Sequence, residues 1–206
     1  MKLQIAFDLT DLDKARSIAL EIYDYADIIE VGSLLIYRYG DQALRTFKEL
    51  FPNKMILADT KIADRGKEAA TIFCQAGADW ITVLAGTGRS VIHAVTTTAH
   101  EYGKKVMLDL IDASSLGQSA LEAKSLGVDA LLFHRPAGID EQLTFLDRWD
   151  MVKGNTTLPV FISASLTPEN SSEIIAVNPA GIVVGTSITH AENPVEVAAF
   201  FRALTS

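Results

Sequence analysis

The chain has 206 residues, 49% of them hydrophobic, enough to bury one sizeable core, and no stretch has the composition of a disordered tail or linker. Its 26 acidic against 18 basic residues leave a net charge of −8, which argues against binding a nucleic-acid backbone or an anionic membrane surface; an anionic ligand would have to be held by local charge. The lone Cys74 has no intramolecular disulfide partner, no apolar run approaches the roughly 20 residues that span a bilayer, and the N-terminus opens on the strand-like KLQIAFD, so a single domain over residues 1–206 and a soluble, cytoplasmic protein are expected.

The first strand is predicted at LQIAFD (3–8), followed by a helix in which Leu12, Ala15, Ile18, Ala19 and Ile22 share one face while Asp13, Lys14, Arg16 and Glu21 share the other. Strands recur at DIIEVG (27–32), MILADTK (55–61), WITVLA (80–85), VMLDLI (106–111), ALLFH (130–134), PVFISA (159–164) and GIVVG (181–185). Helical periodicity fills the intervals at about 40–51, 66–76, 89–102, 115–126, 140–153, 168–177 and 194–204. Thr167-Pro168 and Asn193-Pro194 each read as an N-cap followed by proline at the first helical position, and Gly77, Gly103 and Gly127 stand where helices should end. The strand starts lie roughly 20 to 30 residues apart, the length of a strand, a helix and two short loops. Eight such units predict a parallel sheet with right-handed crossovers closed into a compact (β/α)8 TIM barrel, because closure leaves no edge to protect. An open doubly wound sheet would call for a glycine fingerprint, and Gly86-Thr87-Gly88-Arg89 is a poor match.

In a parallel barrel the strand ends converge on one face. Read in order they supply Asp8, Glu30, Asp59 with Lys61, Asp109, His134, then Ser163-Ala164-Ser165 and Gly185-Thr186-Ser187. Singly, each acid could cap the following helix or turn, and His134 could be a packing residue. Together they point to an active site, since capping needs no lysine and would not place carboxylates in the last residues of strands. Crowded carboxylates become tolerable when two of them ligate a hard cation, and oxygen ligands suit Mg2+; Glu30 and Asp59, on neighbouring strands, are the natural pair. Lys61, two residues beyond Asp59 and so expected on the same strand face, adds a fixed positive charge, and a metal beside a lysine suits an oxyanion such as an enediolate. The small, hydroxyl-rich ends of the last two strands, Ser163 and Ser165 with Gly185 and Thr186, suit a phosphate. Cys74 and Trp80 read as core, and His93 and His100 lack a third ligand for zinc. His190, just past the phosphate loop, is a weaker candidate for substrate contact.

Asp59-Thr60-Lys61-Ile62-Ala63-Asp64, within LADTKIADRGK, has the D-x-K-x-x-D pattern. With IAFD, DIIEVGS, GADWITV, LFHR and GTSITHAENP it makes nearly the whole chain resemble the orotidine 5'-monophosphate decarboxylase suprafamily, in its branch of 3-keto-L-gulonate 6-phosphate decarboxylases and 3-hexulose 6-phosphate synthases. The resemblance implies that the residues matching Glu30 and Asp59 bind Mg2+, that the one matching Lys61 stabilises a 1,2-enediolate, and that Asp8 contacts substrate hydroxyls. It places His134 near the site of protonation and sends Asp64 into the active site of a partner subunit, making a homodimer. KIADRGK, GADW and His134-Arg135 resemble the decarboxylases, whereas Asp109 in place of a glutamate and Thr186 in place of an arginine resemble the synthases. Ala164-Ser165 replaces the usual Gly-Gly pair, and Pro136-Ala137-Gly138 follows Arg135 where a further arginine is missing. The reading drawn from this is a Mg2+-dependent carbon–carbon lyase on a phosphorylated keto sugar, decarboxylation first. The alternatives are 3-hexulose 6-phosphate synthesis from formaldehyde and ribulose 5-phosphate, or a sugar-phosphate binding barrel without turnover.

Overall fold

The structure, a computed structural model, describes residues 1–134 and 144–206. In chain order it runs β1 (Lys2–Phe7), α1 (Leu12–Ile22), β2 (Ile28–Val31), α2 (Ser33–Tyr39), α3 (Asp41–Leu50), β3 (Met55–Ile62), α4 (Gly66–Gln75), β4 (Trp80–Leu84), α5 (Arg89–Glu101) and β5 (Lys105–Asp109). It continues through α6 (Leu116–Ala123), β6 (Ala130–His134), α7 (Phe145–Lys153), β7 (Val160–Ser163), α8 (Ser171–Ala176), β8 (Gly181–Val184), α9 (Thr186–Thr189) and α10 (Pro194–Thr205). The strands pair in sequence order, all parallel, and β8 closes onto β1: a (β/α)8 TIM barrel in one domain. Among the described residues no helix is long and apolar enough to cross a membrane.

The strand period of two decides what faces where. Leu3, Ile5, Phe7, Ile29, Val31, Ile56, Ala58, Ile81 and Val83 point outward and join the helix faces in the main core. Ala6, Ile28, Leu57, Trp80, Met107, Leu132, Phe161 and Val183 fill the barrel interior. Gln4 shares that interior beside Ile28, and continuing the inward parity toward the strand ends reaches Glu30, Asp59, Thr82, Asp109, His134 and Ser163. The interior thus turns from apolar to polar toward one mouth, and that is where the site lies.

Some local expectations change. The helix expected at 40–51 is α3, and an additional helix, α2, precedes it, set off by Gly40, whose φ of 61° no L-residue adopts cheaply. The Leu-Leu-Ile run of α2 was not read as a helix of its own. Thr167-Pro168 does not start α8, which begins at Ser171 after Asn170; Asn170 instead accepts from the Thr167 N–H at 2.9 Å, and the proline sits in the preceding turn. Asn193-Pro194 does start α10, with Asn193 accepting from the Glu196 N–H. Gly77, Gly103 and Gly127 all have positive φ at helix ends. Of the helix expected at 140–153, the described part begins after Thr144, which forms a capping box with Asp147. Cys74 and Trp80 are buried, and His93 and His100 are exposed on α5.

At the N-terminal end of the barrel a second pattern repeats. The residue before β2, β4 and β6 is an aspartate that accepts the N–H of a residue on the preceding strand: Asp27 from Leu3 at 2.9 Å, Asp79 from Ile56 at 3.0 Å and Asp129 from Val106 at 2.8 Å. Each also meets a basic group, Arg202 and Lys2 at Asp27, Lys48 and Lys104 at Asp79, His100 at Asp129.

Candidate active site

The C-terminal mouth opens into a cavity of about 340 Å³ whose walls include Asp8, Glu30, Asp59, Lys61, His134, Ser163, Ser165, Gly185 and Thr186. Apart from the weaker candidate His190, every residue expected at the site reaches this cavity or touches a residue that does, except Asp64. That aspartate is exposed on the β3–α4 loop, where its Oδ1 accepts from the Arg65 N–H at 2.7 Å.

Lys61 is the hub. Its Nζ lies 3.1 Å from Asp59 Oδ1 and 2.6 Å from Asp109 Oδ2. Asp109, fully buried, uses its other oxygen to accept from the Ile111 N–H at 2.9 Å, so it caps a turn and pairs with the lysine at once. His134 Nε2 stands 2.7 Å from the same Oδ1, an ion-pair distance without the alignment of a hydrogen bond. Burial pushes the Asp109 carboxyl up, but His134 and Lys61 outweigh it and hold the group below the usual carboxylate range. Burial likewise opposes the Lys61 charge, and the Asp59 and Asp109 carboxylates reverse this, so the ammonium is held more firmly than a free lysine.

Among the described residues Glu30 and Asp59 are compensated less fully. Burial, reinforced by the Asp59 charge and opposed by Gln4 and Lys61, pushes Glu30 up to about 8. Burial also raises Asp59, with Asp109 adding to it against Lys61 and Thr82. Gln4, fully buried on β1, donates from Nε2 to Glu30 Oε2 at 2.5 Å. Among the described residues no group of three or more His, Cys, Asp or Glu side chains is spaced to enclose a metal. Two adjoining carboxylates short of positive charge nevertheless fit a hard divalent cation that draws its other ligands from water and substrate.

Lys61 shares the inward side with Asp59, but period two alone does not put it there. Between Ala58 and Ile62 four steps on β3 pass the two steps from Ile81 to Val83 on β4, so β3 carries two extra residues, and Lys61 has a left-handed φ of 44°. Thr82, fully buried on β4, holds this bulge. It accepts from the Lys61 N–H at 2.8 Å and donates to Asp59 Oδ1 at 2.9 Å, while its carbonyl accepts from Thr60 Oγ1 at 2.6 Å.

Asp8 lies just past β1 and accepts from the Leu34 N–H at 2.9 Å, anchoring the start of α2. Gly32 makes that approach feasible, since a Cβ there would come within 2.5 Å of Asp8 Cα. Ser163, Ala164 and Ser165 line the cavity opposite Gly185 and Thr186, and Ser187 Oγ donates to the Leu166 carbonyl, tying the two loops together. The methyl of Ala164 and the Cβ of Ser165 therefore border the space expected for a phosphate. Arg135 and Pro136-Ala137-Gly138 lie outside the described residues. His190 is exposed and does not line the cavity. Gln4, Ser33, Thr82 and Ile111 are parts of the site that sequence reasoning missed; the inward parity of LQIA and WITV could have pointed to Gln4 and Thr82.

The model of the Orotidine 5'-phosphate decarboxylase / HUMPS family matches residues 1–201. The chain belongs to this family. A 3-hexulose-6-phosphate synthase of Bacillus subtilis is 31% identical over 211 residues, covering 99% of this chain and 98% of that protein. The crystal structure of 3-hexulose-6-phosphate synthase from Salmonella typhimurium superposes with a TM-score of 0.90 at 31% identity, over 99% of this chain and 98% of that one. For 3-keto-L-gulonate-6-phosphate decarboxylase from Vibrio cholerae the TM-score is 0.86 at 27% identity, over 98% and 96%. As a member of the OMP decarboxylase / HUMPS family, in the branch of these relatives, the chain is a carbon–carbon lyase.

Proposed function

We propose that the protein is an aldehyde-lyase of the 3-hexulose-6-phosphate synthase type, joining formaldehyde to ribulose 5-phosphate through a 1,2-enediolate and catalysing the reverse cleavage. One observation carries the chemistry: a single lysine, Lys61, stands among buried carboxylates at the barrel mouth, so negative charge developing on a sugar oxygen beside it replaces solvation with a fixed cation. Decarboxylation, the first reading from sequence, yields to its alternative because the relatives at 30–31% identity are named synthases, in keeping with Asp109 and Thr186.

In this reading a proton leaves the sugar carbon beside the carbonyl, that carbon bonds to formaldehyde, and the new alkoxide takes up a proton. Lys61 faces the enediolate oxygen, and His134, held against Asp109, serves proton transfer at the carbon. Glu30 and Asp59 would hold Mg2+, which when bound draws electron density from the carbonyl and hydroxyl oxygens of the substrate. Asp8 takes sugar hydroxyls, and the backbone and hydroxyls of Ser163, Ser165, Gly185 and Thr186 take the phosphate. Asp64, exposed and outside the cavity, serves the site of a second copy in a homodimer.

Assaying purified protein with Mg2+ against ribulose 5-phosphate plus formaldehyde, and against 3-keto-L-gulonate 6-phosphate, tests the reading. Faster turnover of the second substrate would restore decarboxylation. Failure of both, together with no metal-dependent deuterium exchange into ribulose 5-phosphate, would leave a binding barrel. Mixing inactive Lys61→Ala and Asp64→Ala proteins tests the shared site, since random dimers would regain about a quarter of wild-type activity. No recovery would sink it.

A further inference from the structure

We propose that Thr82 is a positioning residue for the lyase reaction, a clamp that forces the Asp59–Lys61 segment into the backbone shape that aims the Lys61 ammonium into the cavity. The inference deepens, and rests on, the reading of Lys61 as the group facing the enediolate. A bulge normally leaves polar groups of the interrupted ladder without partners. Here β3 inserts two residues against β4, and Thr82 takes up what the ladder drops. Its carbonyl accepts the Thr60 hydroxyl at 2.6 Å in place of a strand amide, and its own hydroxyl accepts the Lys61 amide at 2.8 Å.

A threonine hydroxyl has one proton to give, and this one gives it to Asp59 Oδ1 at 2.9 Å, which turns its lone pairs toward the Lys61 N–H. One orientation therefore satisfies both neighbours. The left-handed φ of 44° at Lys61 is a shape that an unbranched L-residue keeps only when its surroundings impose it. Thr82 is completely buried, so no water can stand in for the hydroxyl without a rearrangement. Its side chain reaches the reacting centre only through Asp59 and Lys61, which makes its role one of aim and not of chemistry.

Thr82→Val keeps the branched shape and removes both bonds. If the segment relaxes by about 1 Å, kcat should fall on the order of 10- to 100-fold with KM within about 3-fold of wild type, and Thr82→Ser should recover most of the loss. Hydrogen exchange at the Lys61 amide gives a readout independent of turnover: slow in wild type and in Thr82→Ser, fast in Thr82→Val. Should valine prevent folding, Thr82→Ala against Thr82→Ser makes the same comparison. Unchanged kcat in Thr82→Val, equal losses in the serine and valine proteins, or a Lys61 amide equally protected in all three would overturn the clamp. A wild-type protein inert in every assay would instead remove the functional reading, and the amide exchange alone would then decide whether Thr82 holds the bulge.

Discussion

Asp79, at the N-terminal end of the barrel, accepts from two lysines and a backbone amide, whereas at the mouth Asp59 and Asp109 share Lys61 and Glu30 accepts from Gln4. Burial works against the charge at both ends, but with different results. Asp79 and Asp27 are held below the usual carboxylate range by their cations and strand amides. Glu30 and Asp59 are driven above it. An acid with its own cations and amides is complete as it stands and contributes to stability. A cluster with too few cations among the described residues costs stability and, in the proposed reading, is completed by what binds, so the same residue types mark a structural end and a candidate functional end.

Removing the hub should separate the ends most sharply. Lys61→Ala is expected to lower turnover by about 10³-fold or more while the far-UV circular dichroism spectrum stays native, because in the proposed reaction the lost charge faces the developing oxyanion. Normal turnover would remove Lys61 from the chemistry.

The pH dependence of stability comes next. Glu30 has a folded value of about 8 against 4.5 for the free group, so the folded state holds the proton more tightly. This contribution is full below about 4.5 and is lost as pH rises through about 8. The metal-free protein should therefore melt lower at pH 8 than at pH 6, by roughly 5 °C. Glu30→Gln should flatten that slope, and Mg2+ should raise the melting point of wild type but not of the variant. A metal-free melting curve insensitive to pH would show that Glu30 is not strained as described.

At the other end Asp79→Asn should cost about 1 kcal/mol of stability, tempered by partial solvent screening, and leave kcat unchanged. His100→Ala, which removes an exposed partner of Asp129 while the Val106 amide bond remains, should cost less than about 0.5 kcal/mol in a denaturant titration. A large loss of activity from either would erase the distinction between the two ends.

Much of the site was legible before the fold was known. Alternating apolar runs ending in Glu30, Asp59, Asp109 and His134 told which residues would meet, because parallel strands in a closed sheet bring their ends to one rim. Lys61 was placed beside Asp59 on strand period alone, and the bulge that orients it was not visible, since two extra residues keep the parity and leave no mark on the pattern. Thr82 was passed over because a threonine within a strand is ordinary; what distinguishes it is its neighbour across the ladder. The helix α2 was not expected, because its seven residues, coming directly after the second strand, are too few to show a helical period of their own.

The sequence alone determined the eightfold alternation, the barrel class and the set of charged groups at the mouth, since these follow from local period and residue type, and its motifs carried the resemblance to the family. Only the tertiary structure decided how the charges are shared: that Asp109 sits between Lys61 and His134, that Gln4 and Thr82 each donate to one of the two strained carboxylates, and that Asp64 stays outside the cavity. Those relations join residues from 21 to 48 positions apart, and separations of that size become contacts only when the barrel closes.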